Sequence, residues 1–343
     1  MKALQAVKNG PPAEVLEICD IDMPEPGPGQ VLIKVSAASL NFNDIDRCYG
    51  RRVTVPLTPP FTLGMDVCGT VDSVGDGAEG WLGKRVIALT MMASGGLAEY
   101  AIAQADTVFD APAMMTDAEA AAFMIPFHTA YLSLVRRAKI IAGETLLVHS
   151  GASSVGAAAI QIGLATGLQV FATVGSEEKV AYCQQLGAHR VINHTSEAFD
   201  QVVLTETGHA GADVIFDLAG GGFVDPSWKC IAREGRYVSA GFADDEENGF
   251  SGRALRPLCF ANFSVLGVML SYVSAVPPEI REFGFNMFTR DVGDEVHDAL
   301  VSLASEGKIH SVLSRTVPLE KAAAALTEQE QRQTSGRTVV SFG

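Results

Sequence analysis

One segment of the chain has the residue types and spacing of a phosphate-binding turn. An apolar run at 146–148 is followed by small residues at 150–154 and then by a run of helical character. Small residues let backbone N–H groups approach a pyrophosphate, and the N-terminus of a helix favours negative charge. The spacing is Gly151-x-Ser153-x-x-Gly156, so a serine stands where dinucleotide-binding turns have their second glycine. Taken alone, this pattern also fits an ordinary tight turn.

The residues that would read the ribose lie about 20 positions further on, at the end of the next apolar run. That run ends at Val174 and is followed by Gly175 and Ser176. A site for NAD usually has a carboxylate here, which bonds the ribose 2′-hydroxyl, whereas a 2′-phosphate needs a small residue and nearby donors or cations. Ser176 and Lys179 therefore favour NADPH, although two glutamates, at 177 and 178, leave NAD open.

The elements around this turn predict two domains. The first part of the chain has short strand-like runs separated by Gly and Pro, which predicts a compact β-rich barrel. The pattern changes from Thr116, where the runs 117–122 and 127–138 have helical spacing and mark the start of a new domain. Apolar strands then alternate with helices, and this pattern predicts a parallel sheet covered on both faces. The predicted strands of that sheet are 145–149, 169–174, 190–193, 213–218, 236–240 and 263–268. The mixed pattern of the tail predicts its return to the first domain.

Composition excludes several classes of protein. The formal net charge of -15 disfavours binding to nucleic acid or to anionic lipid, which both attract clustered Lys and Arg. The first residues lack the apolar segment of a signal peptide or membrane span, so we expect a cytoplasmic protein. The six cysteines include no CxxC pair, and we expect most of them to be reduced thiols in the core.

Motifs along almost the whole chain resemble those of the zinc-free quinone oxidoreductases, the zeta-crystallin group of the medium-chain dehydrogenase/reductase superfamily. These motifs are Asn41-Phe-Asn-Asp44, Gly64-Met-Asp66, Gly95-Gly-Leu-Ala-Glu-Tyr100, Thr129-Ala-Tyr131, the turn at 146–156, Leu186-Gly-Ala188 and Gly336-Arg-Thr-Val-Val340. The resemblance implies an α/β protein with a GroES-like β-barrel catalytic domain at 1–122 and 271–343. It also implies a Rossmann domain with a doubly wound parallel sheet at 123–270, which binds NADP(H), an active site in the cleft between the domains, and a homodimer.

The resemblance also assigns residues to the cofactor. Ala152, Ser153, Ser154 and Val155 would cradle the pyrophosphate. Gly175, Ser176, Lys179 and His194 would surround the phosphate of the adenosine end. The residues that would line the nicotinamide half are Ala219, Gly241, Phe242, Leu266 and Gly267.

The residues implied on the catalytic side are Asn41, Asp44, Tyr49, Arg52, Met124 and Phe127. Asn41 would donate to a substrate carbonyl, or alternatively bond the backbone in a turn. Tyr49 would supply a proton or a hydrogen bond to a developing enolate, or alternatively pack as an aromatic with its hydroxyl at the surface. Arg52 stands where related enoyl thioester reductases carry a tyrosine, and it would instead bind a phosphate of CoA or of NADPH.

Zinc is disfavoured by the residues at three aligned positions. The zinc-dependent alcohol dehydrogenases of the superfamily place a Cys, a His and a third ligand where this chain has Asn41, Met65 and Ile125. None of these side chains is a thiolate or imidazole ligand of the kind that tetrahedral zinc needs. We therefore expect no metal and a small substrate that accepts hydride readily, a quinone or an enone. Two alternatives remain open: reduction of an enoyl thioester such as an acyl-CoA, and a non-enzymatic, crystallin-like role in binding NADPH.

Overall fold

The computed structural model describes residues 1–51, 57–244, 255–276, 278–282 and 284–343. The chain divides into two compact units. Unit 1 comprises Met1–Ile125, Ser271–Val301 and Ser311–Gly343, and unit 2 comprises Pro126–Leu270 and Ser302–His310. The segment 302–310 lies within the predicted catalytic domain but packs with unit 2, where the His310 N–H donates to Oε1 of Gln161 at 2.7 Å.

Within the described residues, unit 1 contains a seven-stranded sheet, which is mixed and mainly antiparallel, a three-stranded sheet and a two-stranded sheet. Its strands are β1 (Lys2–Ala6), β2 (Leu16–Asp20), β3 (Gln30–Ser39), β4 (Phe61–Thr62), β5 (Asp66–Val74), β6 (Arg85–Leu89), β7 (Tyr100–Gln104), β8 (Val108–Asp110), β15 (Tyr272–Val273), β16 (Phe288–Thr289), β17 (Leu313–Val317) and β18 (Arg337–Ser341). Its helices are α1 (Pro12–Val15), α2 (Phe42–Tyr49), α3 (Asp117–Ala121), α10 (Pro278–Glu282) and α12 (Ala322–Glu330). Two further helices, α4 (Met124–Tyr131) and α11 (Arg290–Ser305), begin in unit 1 and end in unit 2.

The long strand β3 organises the largest sheet of unit 1, whose order is β17-β18-β3-β5-β6-β8. The first half of β3 also pairs with β7, and its last residues pair with β18. Apolar side chains from β3, β5 and β6 pack with α2 and α12 in one core. Because the C-terminal strand β18 lies next to β3, the end of the chain stands beside the residues that open α2.

Unit 2 is a six-stranded parallel sheet with helices. Its strands are β9 (Thr145–Val148), β10 (Gln169–Val174), β11 (Arg190–Asn193), β12 (Ala212–Asp217), β13 (Ile231–Ser239) and β14 (Ser264–Gly267). Its helices are α5 (Ser154–Thr166), α6 (Glu177–Gln185), α7 (Phe199–Glu206), α8 (Val224–Lys229) and α9 (Arg256–Ala261).

The strand order of unit 2, β11-β10-β9-β12-β13-β14, is that of a Rossmann sheet. Every residue of β9 is buried, as expected for a strand covered on both faces. The predicted fold class, an α/β protein with a doubly wound parallel sheet, is confirmed. The chain adds β10 and β11 on one side of β9 and then β12, β13 and β14 on the other, so the order of strands switches between β9 and β12. In such sheets, ligands bind at the carboxyl ends of the strands beside this switch point. None of the described helices is both long and apolar enough to cross a lipid bilayer.

Candidate active site

The turn between β9 and α5 explains the serine in the glycine-rich pattern. Ser153 has an ordinary backbone conformation (φ -72°) and is the N-cap of α5, where its Oγ accepts from the Gly156 N–H at 3.1 Å. Gly151 is tied to the neighbouring strand, because its N–H donates to the carbonyl of Thr173 at 2.9 Å. A serine at position 153 therefore stabilises the helix start without the freedom of a glycine. Ser153 is exposed, while Ser154 and Val155 are half-buried and Ala152 is buried.

Gly156 is required by close packing. A Cβ at this position would lie 2.3 Å from the carbonyl oxygen of Ser150, which is far inside contact distance. Gly156 therefore lets α5 start directly against the turn. The N-terminus of α5, the end of a helix that favours negative charge, therefore follows closely on the carboxyl end of β9.

The end of β10 brings four of the predicted cofactor residues together. Ser176 caps α6, with Oγ accepting from the Lys179 N–H at 3.4 Å. His194, after β11, lies beside Gly175: its Nε2 is 3.3 Å from the place where a Cβ of Gly175 would stand. The carboxylate of Glu177 accepts a hydrogen bond from the side chain of Asn193 at 2.5 Å.

A buried carboxylate that the sequence did not single out orders the turn after β12. The Oδ1 of Asp217 accepts from the N–H groups of Ala219 and Gly220 at 2.7 and 3.0 Å. Its Oδ2 accepts from the hydroxyl of Tyr237. Asp217 thereby fixes the backbone at Ala219, one of the predicted nicotinamide residues.

The other predicted nicotinamide residues follow β13 and β14. Gly241 packs against the turn after β12, where a Cβ would lie 2.6 Å from the carbonyl oxygen of Leu218. Phe242 is 45% exposed. Leu266 is half-buried and Gly267 is exposed at the end of β14.

In unit 1, three buried polar side chains meet where β3 passes into α2. The amide of Asn41 donates to Oδ1 of Asp66 at 2.9 Å and to the carbonyl of Ser39 at 3.3 Å. Its Oδ1 accepts from the guanidinium of Arg337 at 2.6 Å. Arg337 also bonds both oxygens of Asp66 at 3.1 Å. Both amide protons of Asn41 are thus directed to protein acceptors. One acceptor is the backbone, as in the second of the two predicted roles, and the other is the buried carboxylate of Asp66.

Asp44 lies in the same region and is fully buried. Its Oδ2 accepts from the Asn41 N–H at 2.8 Å, and its Oδ1 accepts from the Gly64 N–H at 3.1 Å. Burial raises the pKa of Asp44 to about 6, against the opposing effect of these two hydrogen bonds. Asp44 therefore titrates near neutral pH while it holds the start of α2.

Arg47 is a further charged residue of α2 that sequence reasoning missed. Only 7% of it is exposed, its Nη2 donates to the carbonyl of Met92 at 3.0 Å, and burial lowers its pKa. Arg51 packs over the ring of Tyr49 at 4.3 Å. A hydrogen bond to Glu330 raises the pKa of Tyr49, so its hydroxyl already has a protein acceptor.

The remaining predicted catalytic residues are placed as follows. Met124 and Phe127 are buried side chains of α4. Arg52 lies outside the described residues. Within the described part of the chain, no group of three or more His, Cys, Asp and Glu side chains is placed to hold a metal ion.

Comparison with known proteins covers both units. Residues 27–113 match the family described as "Alcohol dehydrogenase GroES-like domain", and residues 154–285 match the family described as "Zinc-binding dehydrogenase". A quinone oxidoreductase of Rattus norvegicus is 32% identical over 330 residues, which are 95% of this chain and 92% of that protein.

Two solved structures are also similar over their whole length. A mycobacterial protein complexed with NADPH has 27% identity and a TM-score of 0.84, with 100% of both chains covered. An NAD-dependent alcohol dehydrogenase has 28% identity and a TM-score of 0.84, also with 100% of both chains covered. From its fold and its relatives, the chain belongs to the quinone oxidoreductase family of the medium-chain dehydrogenase/reductase superfamily.

Proposed function

We propose that the protein reduces a quinone or an α,β-unsaturated carbonyl compound by hydride transfer from NADPH, without zinc. The observation that carries the proposal is the environment of Asn41. Where zinc-dependent members of the superfamily have a cysteine, the amide of Asn41 is bound between Asp66 and Arg337. The amide oxygen and the amide N–H groups of Asn41 are already bonded by protein groups, and an amide is not the thiolate ligand that tetrahedral zinc has at this position.

The proposed substrate class follows from hydride transfer without a zinc ion. Without zinc, a simple carbonyl has no Lewis acid to polarise it, whereas quinones and enones accept hydride readily because the charge is delocalised over a conjugated system. NADPH, when bound, supplies the hydride, and the residues of the chain bind and orient the reactants and exclude water. The relatives named quinone oxidoreductase support the same class.

The residues of unit 2 fit a dinucleotide. The first turn of α5 offers N–H groups to a pyrophosphate, and the exposed Ser153 leaves the backbone accessible. Asp217 holds Ala219 in place for the nicotinamide half. In unit 1, Asp44 and Asn41 form the rigid start of α2 rather than reacting groups. The hydroxyl of Tyr49 already donates to Glu330, so in the proposed reaction Tyr49 is not the proton donor.

The preference for NADPH rests on the end of β10. No carboxylate stands at Gly175 or Ser176, and the first acidic residue, Glu177, is held by Asn193. Lys179 and His194 would provide donors to a 2′-phosphate bound at this end of the strand. One similar structure holds NADPH, which supports this choice, while another is of an NAD-dependent enzyme.

The test is oxidation of NADPH after exhaustive treatment with a chelator. The acceptors are a panel of quinones and enones, with crotonyl-CoA and acryloyl-CoA in parallel. We expect turnover with at least one quinone or enone, at a rate that chelation does not change. A rate that falls on chelation and returns with added zinc would contradict the proposal.

Two other outcomes would identify the alternatives. Turnover of the thioesters alone would assign the protein to the enoyl thioester reductases. Tight binding of NADPH with no turnover of any acceptor would assign it a non-enzymatic binding role.

We also propose that the protein is a homodimer. Strand β14 lies at one edge of the parallel sheet of unit 2, and the adjacent helix α9 carries Phe260, which is 73% exposed. An edge strand beside an exposed aromatic side chain is suited to pairing with a second copy. Sedimentation equilibrium should give twice the mass of the chain, and the mass of one chain at micromolar concentration would refute the dimer.

A further inference from the structure

The buried arginine of α2 uses only part of its hydrogen-bonding capacity. Arg47 is 7% exposed, and its Nη2 donates to the carbonyl of Met92 at 3.0 Å. Its Nε and Nη1 are buried and have no hydrogen-bond partner among the residues that the structure describes. Nε carries one N–H group and Nη1 carries two. Because buried donors are nearly always paired in native proteins, Arg47 is suited to bind a further oxygen acceptor.

The positive charge of Arg47 is also without an ion pair in the described part of the chain. Asp44, one turn earlier in α2, acts on this charge, but its two oxygens accept from the N–H groups of Asn41 and Gly64. Arg337, which is buried in the same unit, has Asp66 as its partner. A buried guanidinium is costly unless an anion joins it, so the acceptor that suits Arg47 is negatively charged.

The guanidinium of Arg47 adjoins a turn at the surface. Met92, whose carbonyl it contacts, belongs to the turn Met91–Ala93. The two methionines are 37% and 50% exposed. Met92 and Ala93 both have left-handed backbone conformations, with φ of 53° and 52°, which strain residues other than glycine. A shift of this strained turn would open the guanidinium to a ligand from solvent.

The ends of the same turn are fixed to the segment before β5. The hydroxyl of Thr90 donates to the carbonyl of Gly64 at 2.9 Å, and the hydroxyl of Ser94 donates to the carbonyl of Thr62 at 2.5 Å. Movement is therefore confined to the three residues between these anchors. Methionine side chains are flexible and polarisable, so Met91 and Met92 can adapt to the apolar part of a ligand.

We propose that Arg47 determines substrate specificity by binding a carboxylate of the hydride acceptor, whose apolar part packs against Met91 and Met92. This inference rests on the proposed function and narrows its substrate to an enone or quinone that carries an acidic group. A guanidinium binds a carboxylate through charge-assisted hydrogen bonds. Since the chain has a formal net charge of -15, an anionic substrate needs such a local cation.

The test compares one acceptor with and without its negative charge. The enone trans-4-oxo-2-pentenoate and its methyl ester have the same reacting carbon atoms, and oxidation of NADPH gives kcat/KM for each. The wild type should prefer the acid by about 30-fold, the effect of one charge-assisted hydrogen bond. Arg47→Met keeps an apolar side chain without the charge. It should lower kcat/KM for the acid by the same factor and leave kcat/KM for the ester unchanged.

A binding measurement separates recognition from hydride transfer. Calorimetric titration in the presence of NADP⁺ uses the saturated product, 4-oxopentanoate, and its methyl ester. The wild type should bind the acid about 30-fold more tightly than the ester, and Arg47→Met should bind the two equally. Arg47→Lys keeps the charge with fewer donors, so it should retain an intermediate preference for the acid.

The control is Arg51→Met, which removes the same charge just after α2. Arg51 is more exposed than Arg47 and already has an ion pair with Asp46. Its loss should leave the ratio of kcat/KM for acid and ester unchanged. If this ratio falls as far in Arg51→Met as in Arg47→Met, the preference comes from the overall charge and the inference is wrong.

The inference and the proposed function fail in different ways. Equal kcat/KM for acid and ester in the wild type, with both values unchanged in Arg47→Met, would remove the carboxylate site and leave the proposed function standing. Absence of NADPH oxidation with these enones and with the whole panel of quinones would remove both. If Arg47→Met does not fold, Arg47→Lys and the affinities of the wild type for the two products decide.

Discussion

At the scale of single residues, the polar groups around α2 are held by partners distant in sequence. Asn41 and Asp44 were predicted from their local motif, but Arg337, which bonds Asn41, is 296 residues away. That partnership depends on the pairing of β18 with β3, which no local pattern specifies. The motif therefore drew attention to these two side chains, whereas their hydrogen-bond partners required the fold.

The buried pair of Arg337 and Asp66 should contribute strongly to stability. Arg337→Met leaves the carboxylate of Asp66 buried without its cation, which should lower the free energy of unfolding by about 3–5 kcal/mol. Arg315→Met on the adjacent strand removes an exposed ion pair with Glu328 and should cost about 1 kcal/mol or less. Urea denaturation measures the free energy of unfolding of both variants. Equal small losses in the two would contradict a stabilising role of the buried pair of Arg337 and Asp66.

Asp44 should make stability depend on pH. Its pKa is raised from 3.8 to about 6 on folding, so the protonated form is favoured in the native state. Its stabilising contribution is complete below about pH 4 and is lost as the pH rises through 6. Between pH 7.5 and 5.0 the wild type should gain about 1 kcal/mol in unfolding free energy relative to Asp44→Asn.

The matched control for Asp44 is Asp72→Asn, which removes an exposed carboxylate of the same unit. Its unfolding free energy should follow that of the wild type between the two pH values. If the unfolding free energies of the wild type and of Asp44→Asn change with pH in parallel, Asp44 does not titrate in this range.

Lys179 should discriminate between the two dinucleotides. Its ammonium would interact with a 2′-phosphate that NADH lacks. Lys179→Ala should therefore weaken the binding of NADPH by about tenfold and leave the affinity for NADH unchanged. Lys229→Ala removes an exposed lysine of the same unit and serves as the control. Fluorescence titration gives the dissociation constants of both dinucleotides for the wild type and the two variants, and equal affinities for NADPH and NADH in the wild type would refute the predicted preference.

At the scale of elements, regular patterns predicted the sheet of unit 2 well. The apolar runs placed the strands, because a strand buried on both faces must be apolar throughout. The helix predicted over 127–138 is different: α4 ends at Tyr131 and a π-helical segment, Leu132–Arg137, follows. The hydroxyl of Ser133 donates to the carbonyl of Thr129 at 2.7 Å within this region. Apolar spacing does not distinguish such a local widening from a regular helix.

The start of α5 should be intolerant of added volume. Gly156→Ala would place a Cβ 2.3 Å from the carbonyl oxygen of Ser150, which forces the helix away from the turn. Overpacking of this kind costs about 1–3 kcal/mol, and we expect the affinity for NADPH to fall by about tenfold. Gly80→Ala, where an added Cβ meets nothing within 4 Å, is the control. Unchanged NADPH affinity in Gly156→Ala would contradict the assigned role of this turn.

At the scale of the whole molecule, the family was predictable because its motifs are spread over both units. The relatives confirm it over 95% of the chain. The partner of Tyr49 was not predictable, because Glu330 lies in α12 and joins α2 only through tertiary packing. Side chains whose function depends on one distant neighbour are therefore the part of the site that sequence reasoning missed.

The most direct test of the account is transfer of deuterium from NADPH labelled at C4 of the nicotinamide. The labelled cofactor, prepared separately for each face, is incubated with the chelator-treated protein and an enone that the panel identifies as a substrate. The account predicts that deuterium from one face appears at the carbon β to the carbonyl of the product, as measured by mass spectrometry and NMR. Product that carries no deuterium from either face would contradict it.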